Sequence, residues 1–209
     1  MASSFINQVP TVIHLIQKLQ PRYVLDIGKG FGKYGFLVHE YAGIDNTKKI
    51  DHKKSLKDQS ATLIDAVEAD MDLMLPHLNQ LYNQVFFGDI LKIYKDLNTY
   101  DLVLMIDIIE HINKVEALQL LKYLLDRGSK IIIATPIKFF QQELYESNFE
   151  QHVSHWTKKD FAKLGRVNVQ YFDAGAIYFL SNEKIYIRGF GNSLIKKLRR
   201  IARAIKNEC

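Results

Sequence analysis

Cysteine is all but absent from this chain: the only one is Cys209. No internal disulfide can form, which excludes a disulfide-stapled scaffold, and a multi-cysteine zinc centre is excluded with it. Long apolar runs are also lacking. The strongest, around 102–109 and 131–140, are short and broken by Asp107 and by Pro136 and Lys138. They fall far below the ~18 residues a spanning helix needs. No Lys or Arg precedes Lys18 and no small-residue cleavage pattern follows, so a secretory leader is not expected. A reducing, cytoplasmic location is the resulting expectation.

What is present suits one globular domain of 209 residues, with 47% hydrophobic and 24% charged side chains. The net charge of +5 is unevenly spread. From Arg188 onward the chain carries seven basic residues and one acid, leaving the remainder at −1. The near-neutral body disfavours a long nucleic acid as partner. In the tail, Leu194, Ile195, Leu198, Ile201 and Ile205 share one helical face, opposite Lys196, Lys197, Arg199, Arg200, Arg203 and Lys206. Residues 191–209 therefore read as a basic amphipathic helix. Packing, oligomerisation, peripheral contact with an anionic membrane at 192–209 and nucleic-acid binding all fit that pattern.

Residues 1–190 read as a single domain. Val12, Leu15, Ile16 and Leu19 have helical spacing, with Pro10 in the first turn and Pro21 as the stop. Strands are predicted at Tyr23–Ile27, Thr62–Glu68, Val85–Phe87, Leu102–Ile106 and Lys130–Thr135. Helices are predicted at Phe31–Tyr41, Asp70–Tyr82, Val115–Leu125 and Thr157–Leu164. Leu73, Leu78 and Leu81 are the expected inward positions of the second. Residues 45–60 are polar, rich in lysine and without an apolar period, and read as an exposed insertion. Short strands at Val167–Phe172, Ala176–Leu180 and Lys184–Ile187 are expected near one sheet edge. Continuous apolar strands alternating with helices predict a doubly wound, mostly parallel α/β sheet covered on both faces.

The sharpest motif is the stretch Val24-Leu25-Asp26-Ile27-Gly28-Lys29-Gly30-Phe31-Gly32-Lys33-Tyr34-Gly35. An apolar strand delivers an acid, then glycines at alternate positions open a helix. Glycine permits a sharp turn and a close ligand approach, and such loops lie in the ligand crevice of open parallel sheets. Gly30-x-Gly32-x-x-Gly35 also satisfies a dinucleotide pattern, so a nicotinamide-dependent oxidoreductase is one reading. The acids point elsewhere. Asp26 suits an amino group and would repel a pyrophosphate. Glu68, closing the second strand, can accept both hydroxyls of a ribose, with Asp65 and Asp70 as neighbouring rivals. Asp89 can accept from an adenine amino group while Ile90 packs the ring. Asp107 follows the fourth strand. Four carboxylates on one rim favour a ligand with amines, hydroxyls and a positive charge.

These motifs, VLDIGKGFGKYG, the acid at Glu68, FGDI and YDLVLMIDIIEHI, in this order resemble those of the class I S-adenosylmethionine-dependent methyltransferases. The resemblance spans about Arg22 to Gly165. It implies a seven-stranded Rossmann-like sheet with a reversed last strand and S-adenosyl-L-methionine as cofactor. It implies Asp26, Gly28, Gly30 and Gly32 near the methionine end, Glu68 at the ribose, and Asp89 with Ile90 at adenine. Lys29 departs from the small residue usual between the first two glycines, and the insertion before Glu68 is long. A non-catalytic scaffold that keeps the fold is the alternative from another functional class.

In-line methyl displacement needs positioning above all, with a base for hydroxyl or protonated amine acceptors. His111, shortly after the fourth strand, is the first expected base. His152 and His155, in Asn148–Trp156, are expected on an acceptor wall or lid, with Tyr34, Phe139 and Phe140 as further lining residues. No histidine spacing marks a metal site, so none is expected. The expected acceptor is an O or N nucleophile on a small molecule, a glycan or a lipid-linked intermediate.

Overall fold

A computed structural model describes residues 6–45, 47, 49–138, 151–172 and 174–187. The described residues form one seven-stranded sheet of order β3-β2-β1-β4-β5-β7-β6. Its strands are β1 (Tyr23–Ile27), β2 (Leu63–Glu68), β3 (Gln84–Phe87), β4 (Leu102–Ile106), β5 (Lys130–Pro136), β6 (Arg166–Tyr171) and β7 (Gly175–Ser181). β1 to β5 pair in parallel, and β7 lies antiparallel to both β5 and β6. The helices are α1 (Val9–Leu19), α2 (Lys33–Val38), α3 (Ile90–Ile93), α4 (Lys114–Asp126) and α5 (Lys158–Phe161).

The central strands read as unbroken apolar runs because both sheet faces are covered. Val24, Ile64, Leu102, Leu104 and Ile132 pack towards α1 and α2. Leu25, Ile27, Val103, Met105 and Ile133 pack towards α4. Burial of Val12, Leu15 and Ile16, all at 0% exposure, fixes α1 to the sheet at roughly 1.5–3 kcal/mol per side chain. Gln20 ends that helix in a left-handed conformation, φ 42°, and Pro21 follows.

Three expectations are corrected. The stretch 70–82 is not an α-helix but two 3-10 turns, Met71–Leu73 and Pro76–Gln80. Proline forces an extended residue before it, and Leu75 sits at φ −94°, ψ 138°. Leu78 and Leu81 are nonetheless buried, while Leu73 is only half-buried. The helix expected over 157–164 is the single turn Lys158–Phe161, closed by a capping box between Thr157 and Asp160. Residues 184–187 form no strand: β7 pairs with β5 on one side and β6 on the other, and the chain after β7 leaves the sheet with Ile185 and Ile187 packed against the core. The helix expected over 31–41 is α2, continued by a π-helical turn over His39–Gly43.

Within the insertion, the described residues from Asp45 to Lys54 are exposed. From Ser55 the chain turns inward, with Leu56 against the core and the Lys57 ammonium donating to the Tyr82 carbonyl at 3.1 Å. The basic stretch 191–209 lies outside the described residues. Among the described residues no helix is long and apolar enough to cross a membrane.

Candidate functional site

The sheet order reverses between β1 and β4, the switch point at which open α/β sheets form their ligand crevice. Ladder-like bonds beyond the strand ends carry several loops to one common rim. The Gly28 N–H donates to the Val67 carbonyl at 2.8 Å, Gly88 to Glu68 at 2.8 Å, and Asp107 to Ala134 at 2.9 Å. Asp26, Gly28, Glu68, Asp89 and Asp107 therefore all stand at carboxyl ends of neighbouring parallel strands.

The glycines of the loop after β1 divide by role. A Cβ at Gly28 (φ 73°) would lie 1.9 Å from Ile108 Cδ1, so this position serves close packing. Gly32 (φ 81°) is likewise crowded by Leu78 and Leu81. Gly30 adopts φ 49°, yet among the described residues nothing lies within 4 Å of where its Cβ would be. Of the three, Gly30 alone borders open space, the feature expected of a loop against which a ligand rests.

Asp26 is 2% exposed, and Oδ2 accepts a 2.6 Å hydrogen bond from the Tyr82 hydroxyl. Burial raises its pKa to about 6. The Tyr82 bond opposes that rise, Glu68 adds to it and Lys29 lowers it. Tyr82 was not legible as a site residue, because it lies fifty-six positions from Asp26 and its own neighbourhood signals only core.

Glu68 is tied to the glycine loop. Its Oε2 accepts from the Gly30 N–H at 3.1 Å, and Oε1 accepts from the Asp70 N–H at 3.2 Å. The rivals take other roles: Asp65 accepts from the Tyr100 hydroxyl, and Asp70 caps the turn 71–73. Lys29, whose side chain is 0% exposed, stands 4.0 Å from Glu68, donates to the Leu73 carbonyl at 2.9 Å and lies over the Phe87 ring. Burial lowers its pKa, partly offset by Glu68, Asp26 and Asp70. A cation of the chain itself thus sits beside the carboxylate expected at a ribose.

Asp89 is the N-cap of α3, accepting from the Leu91 N–H at 2.9 Å. Ile90 is 6% exposed and packs into the core. Asp107 adopts φ 54°, an uncommon conformation for a side-chain-bearing residue. Its Oδ1 accepts from Gln8 at 3.2 Å, and among the described residues its Oδ2 has no hydrogen-bond partner. Burial raises the Asp107 pKa to about 6, opposed by the Gln8 bond and by Lys33.

Beyond β4, a 3-10 turn spans Ile109–His111. Segment 151–156 is clamped onto it: the Val153 and Ser154 N–H groups donate to the Glu110 carbonyl at 2.8 and 3.0 Å. Trp156, 1% exposed, donates to the Ile109 carbonyl and stacks on Phe161. This brings His152 beside His111, with ring centroids 5.0 Å apart. His155 bonds instead to the Ile137 carbonyl. Tyr34 is buried in the core on the α1 side, and Phe139 and Phe140 lie outside the described residues. Glu110, overlooked in the sequence, is 3% exposed, and burial together with Asp107 raises its pKa to about 8.

No protein-family model matches the chain, and no curated protein matches it. Solved structures do match. The methyltransferase domain of bacterial CtHen1-C is 20% identical with a TM-score of 0.53, covering 84% of this chain and 97% of that one. A methyltransferase from Geobacter sulfurreducens is 13% identical with a TM-score of 0.52, covering 85% and 80%. The small RNA methyltransferase HEN1 is 16% identical with a TM-score of 0.59, covering 91% of this chain and 27% of that one. The fold is that of the class I methyltransferases, with a mostly parallel sheet closed by an antiparallel β7.

Proposed function

We propose that the chain is an S-adenosylmethionine-dependent methyltransferase acting on an oxygen or nitrogen nucleophile. The observation that carries this reading is the rim itself: carboxylates at the ends of β1, β2 and β4 and just beyond β3, around a loop whose Gly30 borders open space. Asp26 offers a carboxylate to the cofactor's amino group, and the loop Gly28–Gly32 lets its chain approach. Glu68 is the ribose acceptor, Asp89 and Ile90 meet adenine, and Asp107 completes the acidic rim beside β1. When bound, S-adenosylmethionine supplies an electrophilic methyl on a cationic sulfur.

The chain's part is to hold donor and acceptor in line and to keep water out, worth on the order of 7–11 kcal/mol in well-oriented reactions. His111, beyond β4, and His152, in the segment after β5, are the residues we assign to the acceptor side. An acidic rim suits a cationic nucleoside better than the pyrophosphate of a nicotinamide dinucleotide. A small molecule, a glycan or a lipid-linked intermediate is the acceptor class proposed.

Calorimetry of the full chain with S-adenosylhomocysteine and with NAD tests the reading. Binding of the first and not the second is expected; the reverse overturns it. Transfer of labelled methyl to any component of a cell extract separates an enzyme from a scaffold that merely keeps the fold.

A further inference from the structure

We propose that Glu110, His111 and His152 bind a divalent transition-metal ion of the manganese, iron, cobalt or zinc class. One donor atom from each of the three lies within 4.8 Å of the others. Three tetrahedral donors around one ion at about 2.1 Å sit about 3.4 Å apart, so side-chain rotation that brings these closer by up to about 1.4 Å completes the set.

Glu110 is the observation that points to a ligand. It is 3% exposed, and among the described residues neither carboxylate oxygen has a hydrogen-bond partner. Among the described residues the Thr135 hydroxyl approaches Glu110 without reaching hydrogen-bond geometry, and a buried acid so poorly satisfied is costly and rare in folded proteins. Asp107, close enough to act electrostatically on Glu110, adds negative potential at the same place. A cation between the acid and the two imidazoles removes that cost.

The supports are already built. His111 Nδ1 lies 3.1 Å from the Gln151 carbonyl. A carbonyl only accepts, so a ring bonded there donates from Nδ1, the arrangement in which Nε2 would face an ion. An outer hydrogen bond of that kind orients metal-binding histidines generally. The bonds from Val153 and Ser154 to the Glu110 carbonyl, and from Ser154 and Trp156 to Ile109, hold the segment carrying His152 against the turn carrying the other two. Two imidazoles and one carboxylate form a borderline nitrogen and oxygen set with positions left open. Magnesium and calcium prefer oxygen ligands throughout.

The ion site stands without the methyl-transfer reading. If that reading also holds, the ion lies on the acceptor side and favours an acceptor that offers an oxygen ligand, since a bound hydroxyl becomes more acidic.

The test uses the untagged full chain, stripped with a chelator and dialysed separately against Mn²⁺, Co²⁺ and Zn²⁺. One ion per chain by mass spectrometry is expected, with a Co²⁺ visible spectrum showing nitrogen ligation. His152→Ala and Glu110→Gln should each weaken binding by at least about 100-fold, more than the loss of an outer-shell partner, while circular dichroism shows both variants folded. If either variant fails to fold, the wild-type Co²⁺ spectrum decides. Failure of the wild-type chain to take up an ion at millimolar metal, or full retention by both folded variants, overturns the site. S-adenosylhomocysteine calorimetry run in parallel reports on the cofactor proposal separately.

Discussion

The backbone N–H of Gly30 donates to the carboxylate of Glu68 across 3.1 Å, joining the loop after β1 to the end of β2. One bond thus sets the spacing between the loop and the acid proposed to meet the ribose. It also makes the conformation of Gly30 part of the site's geometry rather than a detail of the turn.

Gly30→Val should abolish S-adenosylhomocysteine binding while leaving the chain folded. An added Cβ has no described protein atom within 4 Å, so the side chain enters the space proposed for the ligand, and a left-handed φ costs a β-branched residue about 1–2 kcal/mol. Gly28→Ala should behave oppositely in kind, lowering the melting temperature because its Cβ collides with Ile108. Thermal melts with and without ligand separate the two effects. Undiminished affinity in Gly30→Val would move the site elsewhere.

Cofactor affinity should rise as pH increases from about 5 to 7, then level off. Asp26, held near 6 by burial, must ionise to meet an amino group, and below its pKa the affinity changes up to about tenfold per pH unit. The stability of the ligand-free protein moves the other way. The folded state binds this proton more tightly than the unfolded chain, so the contribution of Asp26 is present at low pH and lost as pH climbs from about 4 to 6. The Tyr82 hydroxyl, Glu68 and Lys29 all act on this carboxylate, and Asp107 titrates in the same window. Asp26→Asn should therefore flatten the affinity profile without removing the Asp107 component.

Tyr82→Phe removes the 2.6 Å bond that favours the ionised form of Asp26. The pH midpoint for cofactor binding should shift upward. Chemical denaturation should show a loss of about 1–3 kcal/mol, as for a buried polar group deprived of its partner. An unchanged midpoint would separate Asp26 from the binding step.

Lys29→Met should strengthen S-adenosylhomocysteine binding by roughly fivefold. The substitution keeps the apolar stem but removes the ammonium beside Glu68, freeing the carboxylate for a neutral diol at the scale of one hydrogen bond, about 1 kcal/mol. Weaker binding in calorimetry would instead make Lys29 a prop that holds Glu68 in place.

Asp89 serves two ends at once. Asp89→Ala should cost about 1 kcal/mol through loss of the α3 cap and also weaken cofactor binding. Asp89→Asn still caps, so its melting temperature should stay near that of the parent chain. Equal melting temperatures for both variants would remove the capping role.

Much of this molecule is written locally. The central strands β1, β4 and β5 are largely apolar runs because both faces of the sheet are covered there, and Asp26, Glu68, Asp89 and Asp107 stand at or just beyond strand ends. Alternating glycines mark a tight turn wherever they occur, so the loop after β1 was legible before any packing was known. The break in the stretch 70–82 was signalled too, by Pro76, but the leucine spacing on either side masked it.

Other features exist only in three dimensions. Nothing near Lys29 foretells a fully buried ammonium, since its partners at Glu68 and Leu73 come from beyond the insertion. Tyr82 reaches Asp26 only because the turns after β2 fold back over α2. Glu110 and His111 lie close to His152 although far from it along the chain, through backbone bonds that neither segment advertises. Sequence alone determined the order of strands, turns and acids, because hydrophobic period and backbone freedom are properties of a few consecutive residues. Tertiary structure decided which charges face one another, because electrostatic partnership depends on distance in space and not on distance along the chain.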